Sequence, residues 1–383
     1  MIFDRISFCI GVTAGLLLLA SGAHAVNSTD IEAVRSRTLE SKSALSPADE
    51  AVVEKFIRDG FAEMILEPDP WRAVDVREAI LAQKGGPGPS PYAAAFAGAA
   101  ARHLKVALED ISRLQDPQRR SRMTLNLVTL AAGLRTTEVV PFGLDMIAHN
   151  DRTVQYWAVK TVTNPGVAAQ LTSQILGDEE LTRRIISRLD QAVADGIIPQ
   201  TMRMIVEFAD SINTPEARAL INRIADLRIA QYADWTVEYE LLEALVLSSL
   251  GKQIQAQNAD ARRADLLRRF SQLYSYVIER YVLGEQTLDE RRKTQLVSVI
   301  AETENGAISE ILSRPQNRLR KALEGGKASV VEAERQILLG SPTQPGQLAA
   351  RFNYDYGKAA GGAPITEPLR LKVPGSLLAG QQN

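Results

Sequence analysis

From about Ser46 to Leu339 the chain places apolar side chains at intervals of three and four, and it seldom leaves that spacing. Leu266, Leu267, Phe270, Leu273, Tyr274, Val277, Ile278 and Tyr281 make one continuous stripe on a helix. Arg262, Arg263, Arg269, Gln272 and Glu279 fall largely off it. The segment Tyr239–Leu250 is apolar on almost every side, which suits a helix covered on two faces. Alternating runs of the strand type are nearly absent, and aromatic residues make up only 5% of the chain. These features predict an all-α fold.

Punctuation cuts the periodic span into short helices. Breaks are expected at Pro68-Asp69-Pro70, Gly85–Pro91, Asp116-Pro117, Thr163–Gly166, Gly177-Asp178 and Asp195-Gly196. Further breaks are expected at Asn213–Pro215, Gly284, Asn305-Gly306, Pro315 and Gly325-Gly326. Helices of about 10–20 residues joined by polar turns follow. Ser46-Pro47-Ala48-Asp49-Glu50 shows how such a helix starts: a serine cap, proline in the first turn, and acids that complement the helix dipole.

One stretch, His149–Val162, reads "HNDRTVQYWAVKTV". Upstream of it, Val139–Ile147 forms one helix; Asn150-Asp151 then turns the chain, and Val154, Trp157, Ala158, Thr161 and Val162 form the stripe of the next. The order of helix, turn with Asp, then Asp-x-x-Val-x-x-x-Ala resembles a HEAT repeat, here Asp151, Val154 and Ala158. Gln155 stands where that family usually carries arginine. Looser echoes start at Asp116, Asp178 and Thr214, so that the starts are 35, 27 and 36 residues apart. HEAT and armadillo units run to about 40–47 residues. The resemblance covers roughly 115–235 and is best at 139–163. It implies an irregular stack of helical hairpins, an α-solenoid, with Val154, Trp157, Ala158, Phe142 and Leu144 in its core.

The ends differ from the middle. Residues 1–25 read as an export signal: Arg5, an apolar run from Ile6 to Ala20, then Ala23-His24-Ala25 as a small-residue cleavage site. The run is shorter than the ~20 residues of a spanning helix, so no stable membrane span is expected after cleavage. The sole cysteine, Cys9, lies in this signal, and the mature chain has neither disulfides nor thiolate chemistry. Residues 26–45 are polar and are expected to be a flexible segment or one short helix. The helical-repeat domain then spans 46–340. Pro342–Asn383 holds 5 prolines and 6 glycines in 42 residues, so 341–383 is expected to form no core and to be a disordered tail. Its apolar islands are Phe352-Asn353-Tyr354-Asp355-Tyr356 and Leu369-Arg370-Leu371-Lys372-Val373. They are read as docking segments, for a partner or for the array itself.

No catalytic, cofactor or metal site is assigned. His149 beside Asp151 is read as a helix end and a capping turn, since neighbouring turn residues point in different directions. His103 and Asp110 lie two turns apart on one helix side, yet no Gly-x-Ser-x-Gly nucleophile accompanies them. Glu302/Glu304 and Asp178-Glu179-Glu180 offer paired carboxylates; Tyr232, Trp235 and Tyr239 are the one aromatic group nearby, and it is expected to pack a helix junction. Gly85–Pro91 lacks the Lys-Ser/Thr ending of a phosphate loop. A net charge of −2 gives no field that would favour nucleic acid or anionic lipid. Arg314, Arg318, Arg320 and Lys321 belong to a basic C-terminal half.

The function expected from these features is an exported, periplasmic or secreted, non-enzymatic scaffold that binds a protein partner in the envelope. Arg314, Arg318, Arg320, Phe352, Tyr354, Tyr356, Leu369 and Leu371 are the candidate contact residues. The alternative is an all-α hydrolase of envelope polymers, recognisable by a deep groove lined by Tyr232, Trp235 and an acid of raised pKa. A structural component of an envelope assembly is a third reading.

Overall fold

The computed structural model describes residues 28–41, 44–86, 90–173, 177–284 and 287–373. The predicted export signal, with Cys9, and the end of the tail from residue 374 lie outside the described residues. The chain divides into two compact units, 1–96 and 97–383.

The first unit holds α1 (Thr29–Ser41), α2 (Pro47–Leu66), α3 (Pro70–Ala82) and the beginning of α4 (Pro91–Ser112). Its core is built from Ile31 and Val34 of α1, Phe56, Ile57 and Met64 of α2, Ile80 of α3, and Tyr92 and Phe96 of α4. The flexible segment expected over 26–45 is, from Thr29 to Ser41, a helix. Two of its few apolar side chains, Ile31 and Val34, are buried, and polar groups fasten it at the end of α3. Arg35 donates to the Ala82 carbonyl (3.0 Å) and Glu32 accepts from Gln83 (3.1 Å).

In the second unit α4 ends, and α5 (Pro117–Leu134), α6 (Val140–Met146), α7 (Arg152–Val162) and α8 (Pro165–Leu171) follow. Next come α9 (Glu179–Ala194), α10 (Pro199–Ile212), α11 (Pro215–Ala233), α12 (Leu242–Ala256) and α13 (Asp260–Leu283). The last are α14 (Glu290–Thr303), α15 (Ser309–Leu312), α16 (Arg318–Glu324), α17 (Ala328–Leu339) and α18 (Gln347–Phe352). The fold is all-α apart from the hairpin of β1 (Gly340–Ser341) and β2 (Gln344–Pro345). The long α13 packs against α11, α12, α14 and α17. Its stripe is hidden as expected: Leu267, Phe270, Leu273, Tyr274, Val277 and Ile278 have no exposure.

Many of the sequence breaks are helix starts. Asp69, Asp116, Asn164 and Thr214 each precede a proline, and the side-chain oxygen of each accepts a backbone N–H of the first turn. The proline lacks an N–H, and its φ is already helical, so cap and proline together satisfy and shape one end. The break expected at Asn305-Gly306 is different. Glu304–Ile308 is a π-helical turn, and the helical run passes from α14 through it into α15.

The tail differs most from expectation. Residues 341–373 are packed on the array rather than disordered: β1 and β2 reverse the chain, α18 follows, and an irregular segment runs back along α13 and α17. Composition showed correctly that this segment has no core of its own. It is ordered because it uses one already built, with Leu348, Ala349, Tyr354 and Leu371 buried. Trp157 is the other correction: it is only half-buried, its ring edge-on to Tyr156 with the Lys160 ammonium 4.2 Å from its centre. Val154 and Ala158 are fully buried, and Phe142 and Leu144 nearly so.

Candidate functional site

The side chains singled out from sequence fall into three settings. The first is the returning tail. Tyr354 and Tyr356 share a hydroxyl contact of 3.1 Å; Tyr354 meets Ser271 of α13 (2.9 Å) and Tyr356 donates to the Leu339 carbonyl (2.8 Å). Gln272 binds both the N–H and the carbonyl of Leu369 (2.8 and 3.0 Å), and the Leu371 N–H donates to Glu279 (2.5 Å). Phe352 is half-buried beside Arg263 and Arg351. Of the large apolar side chains in the two islands, only Leu369 stays largely exposed, at 66%. The tail islands therefore dock on their own array.

Beneath this contact lies a buried polar network. Arg335 has no exposure, and its guanidinium meets Ser275 (3.1 Å), Glu279 (3.5 Å), Glu332 (2.9 Å) and Glu367 (3.3 Å). From the tail, Arg370 reaches Glu332 (2.8 Å) and Glu279 (3.4 Å). Burial pushes Glu279 and Glu367 above the usual carboxylate range, and the neighbouring acids add to that.

A second network starts at the next residue of α13. Arg280 donates to Glu240 and to the Val237 carbonyl (both 3.3 Å) and stands over the rings of Tyr232 and Trp235. Arg228 pairs with Glu243 at 2.5 Å, both fully buried. Burial pushes Glu243 up to about 7 against the opposing pull of Arg228. Burial works to lower Arg228, yet the charge and hydrogen bond of Glu243 hold it above its ordinary value. An acid of raised pKa does accompany Tyr232, but Glu243 and Tyr232 are both sealed in the core. They form the helix junction between α11 and α12, and Trp235 donates from it to the Lys372 carbonyl (2.7 Å).

The third setting is the exposed surface. Arg314 donates to Gln347 (3.2 Å), while Arg318 pairs with Glu334 (3.0 Å) and Arg320 with Glu324 (3.7 Å). Such exposed pairs are worth about 0–1 kcal/mol. Glu302 and Glu304 do not form a catalytic pair. Glu302 is exposed, whereas Glu304 is buried and accepts from the Leu319 and Arg320 N–H groups (2.7 and 2.8 Å) at the start of α16. Asp178 caps α9, and Arg113 holds the Asp110 carboxylate at 3.0 Å. At the hinge, His149 Nδ1 accepts the Asp151 N–H (3.0 Å) and Asp151 caps α7 through the Thr153 N–H (2.7 Å). Among the described residues no group of three or more His, Cys, Asp or Glu is placed to hold a metal ion. No helix among them is long and apolar enough to cross a membrane.

The sequence punctuation marks Pro68-Asp69-Pro70 only as a break and does not show what the turn Leu66–Trp71 displays. Glu67 accepts from the Asp69 N–H (3.0 Å), Asp69 accepts from the Trp71 N–H (2.9 Å), and Pro68 and Pro70 fix their own φ angles. This turn displays Trp71 at 79% exposure beside Leu66 at 72%. The signal was present, because α3 buries Ala73, Val76 and Ile80, a register that leaves Trp71 off the stripe.

Both units are helical apart from the β1–β2 hairpin of the second, and Trp71 is exposed on the first. Comparison with protein-family models, curated proteins and solved structures finds no match to this chain.

Proposed function

We propose that this protein is an exported, non-enzymatic scaffold of the cell envelope, a HEAT-like stack whose surface binds a protein partner. The observation that carries the reading is Trp71. Two hydrogen bonds fix the backbone that carries this exposed indole, so the turn itself has little freedom left to lose on binding, and tryptophan is enriched among the side chains that dominate protein interfaces. The tail is not the docking element of this proposal, since its apolar islands are already occupied within the chain.

The test is photo-crosslinking in cells with p-benzoylphenylalanine at position 71 and, as control, at the exposed Gln118. A discrete protein adduct in the envelope fraction is expected from position 71 and not from position 118. Trp71→Ala should weaken the captured partner's affinity by about 2 kcal/mol or more. It should leave the melting curve within about 0.5 kcal/mol of wild type. No adduct at 71, or the same adducts from both positions, would overturn the reading.

A further inference from the structure

Between α10, α11, α12 and α13 the second unit opens a cleft of about 700 Å³. Two properties set it apart from an ordinary surface groove. The first is unused hydrogen bonding: Asn222 Oδ1, Ser249 Oγ and Gln253 Nε2, all from residues that line the cleft, have no partner in the protein. Ser249 is 1% and Gln253 8% exposed. Buried polar atoms are nearly always paired, and leaving one unpaired costs about 1–3 kcal/mol. Three in one place point to a ligand that supplies both a donor and an acceptor.

The second property is charge. Of the four cationic side chains on the walls, Lys252 pairs with Asp210 (2.6 Å) and Arg269 with Asp226 (2.6 Å). Arg218 binds only the carbonyl and side-chain oxygens of Asn213 (2.7 and 3.0 Å). Arg262 is exposed and forms no ion pair with an acid among the described residues. Two guanidinium groups thus lack a carboxylate, while the remaining acid of the wall, Asp265, is held by Arg268 (2.7 Å).

We infer that this cleft binds an acidic peptide segment. A peptide unit carries an N–H for Asn222 Oδ1 and a carbonyl for Gln253 Nε2, and acidic side chains fit Arg218 and Arg262. No aromatic ring lines the cleft, so stacking on a sugar or a base has no platform. A second depression, of about 490 Å³, shares Asp265 and Arg269 with the cleft and continues along α13 to Leu369. The acids of that depression, Asp226, Asp265 and Glu367, confine an acidic segment to the end of the cleft that carries Arg218 and Arg262.

The full-length protein should be titrated with a dye-labelled octapeptide alternating Glu and Ser, following fluorescence anisotropy. Saturable binding is expected, at least about tenfold tighter than for the Gln–Ser peptide and weakening with salt. Joint Arg218→Glu and Arg262→Glu substitution should reduce affinity about 30-fold or more. Ser249→Ala should reduce it about fivefold while the melting temperature stays level or rises, because it deletes an unpaired hydroxyl from the free protein. A merely structural serine would not separate the two readings in that direction. Equal binding of the Gln peptide, no saturable binding at all, or equally tight binding of free glutamate or of a single-stranded DNA of the same charge would each overturn the inference. Trp71→Ala should bind the octapeptide as wild type does, so the failure of this site and of the scaffold reading are told apart.

Discussion

Glu243 carries a consequence that can be measured. Its carboxyl lies between the positive charge of Arg228 and the negative one of Glu240, with Tyr232 against it, and burial raises its pKa to about 7. A carboxyl whose folded pKa exceeds its unfolded value binds its proton more tightly in the native state. Its contribution to stability is therefore full below the unfolded value near 4.5 and is lost as pH rises to about 7. Glutamine imitates the protonated form at every pH. Glu243→Gln should melt close to wild type at pH 4.5 and above it at pH 8, by up to about 3 kcal/mol at 1.4 kcal/mol per pKa unit. Melting curves of both proteins at pH 4.5, 6 and 8 check this; a gap of the opposite sign would mean that Arg228 holds Glu243 ionised. None of this was legible in the sequence. "YELLEALVLSSL" predicts a helix covered on two faces, and nothing in it shows what Glu243 meets, because its partner Arg228 is 15 residues away on another helix. By contrast the role of His149 and Asp151 was legible, since a capping turn depends on residues within three positions of itself.

At the scale of elements, local rules worked where contacts are local. Cap-proline pairs placed the starts of α3, α5, α8 and α11, and the three-and-four spacing placed the buried face of α13. They failed at Asn305-Gly306, where the chain continues as a π turn instead of stopping. Against this turn α12 comes so close that a Cβ added at Gly251 would lie 2.9 Å from the Cβ of Ala307. Gly251→Ala should gain about 1 kcal/mol of helix propensity and lose about 1–3 kcal/mol to overpacking. A net loss is expected. Removing the opposing methyl group as well, by Gly251→Ala with Ala307→Gly, should relieve the overpacking, so the two changes are non-additive by about 1 kcal/mol. Chemical denaturation of the two single variants and the pair gives that coupling directly. Additive losses would show that Gly251 matters for something other than this contact.

For the second unit as a whole, the tail is the piece that sequence patterns misjudged. Prolines and glycines at its density mean that a segment cannot fold alone, and the segment does not fold alone. It is held by contacts that reach back 92, 97 and 137 positions: Leu371 to Glu279, Leu369 to Gln272, and Lys372 to Trp235. The two prolines Pro364 and Pro368 reduce the freedom that its unfolded state would lose. Glycine makes the close approach possible at one point. Gly340, at φ +118°, has the Thr366 carbonyl where a side chain would stand. A chain ending at Gly340 would uncover Ser271, Glu279 and Arg335, now 0–1% exposed, and strip Glu279 of both Arg370 and the Leu371 N–H. Breaking a buried charge network commonly costs about 3–5 kcal/mol. At about 2 °C per kcal/mol for a unit of about 300 residues, the truncated protein should melt roughly 6–10 °C below the full chain. The full chain's stability should also carry a sign in pH: burial raises the Glu279 pKa against the lowering pull of the tail's Leu371 N–H and Arg370, so this carboxyl contributes most below the ordinary glutamate pKa and less as pH rises. The contacts of Tyr354 and Tyr356 are neutral throughout that range and sustain the remainder. A truncated chain that melts with the full one at every pH would mean that the tail rests on α13 without stabilising it, and the apolar islands would again be available to a partner.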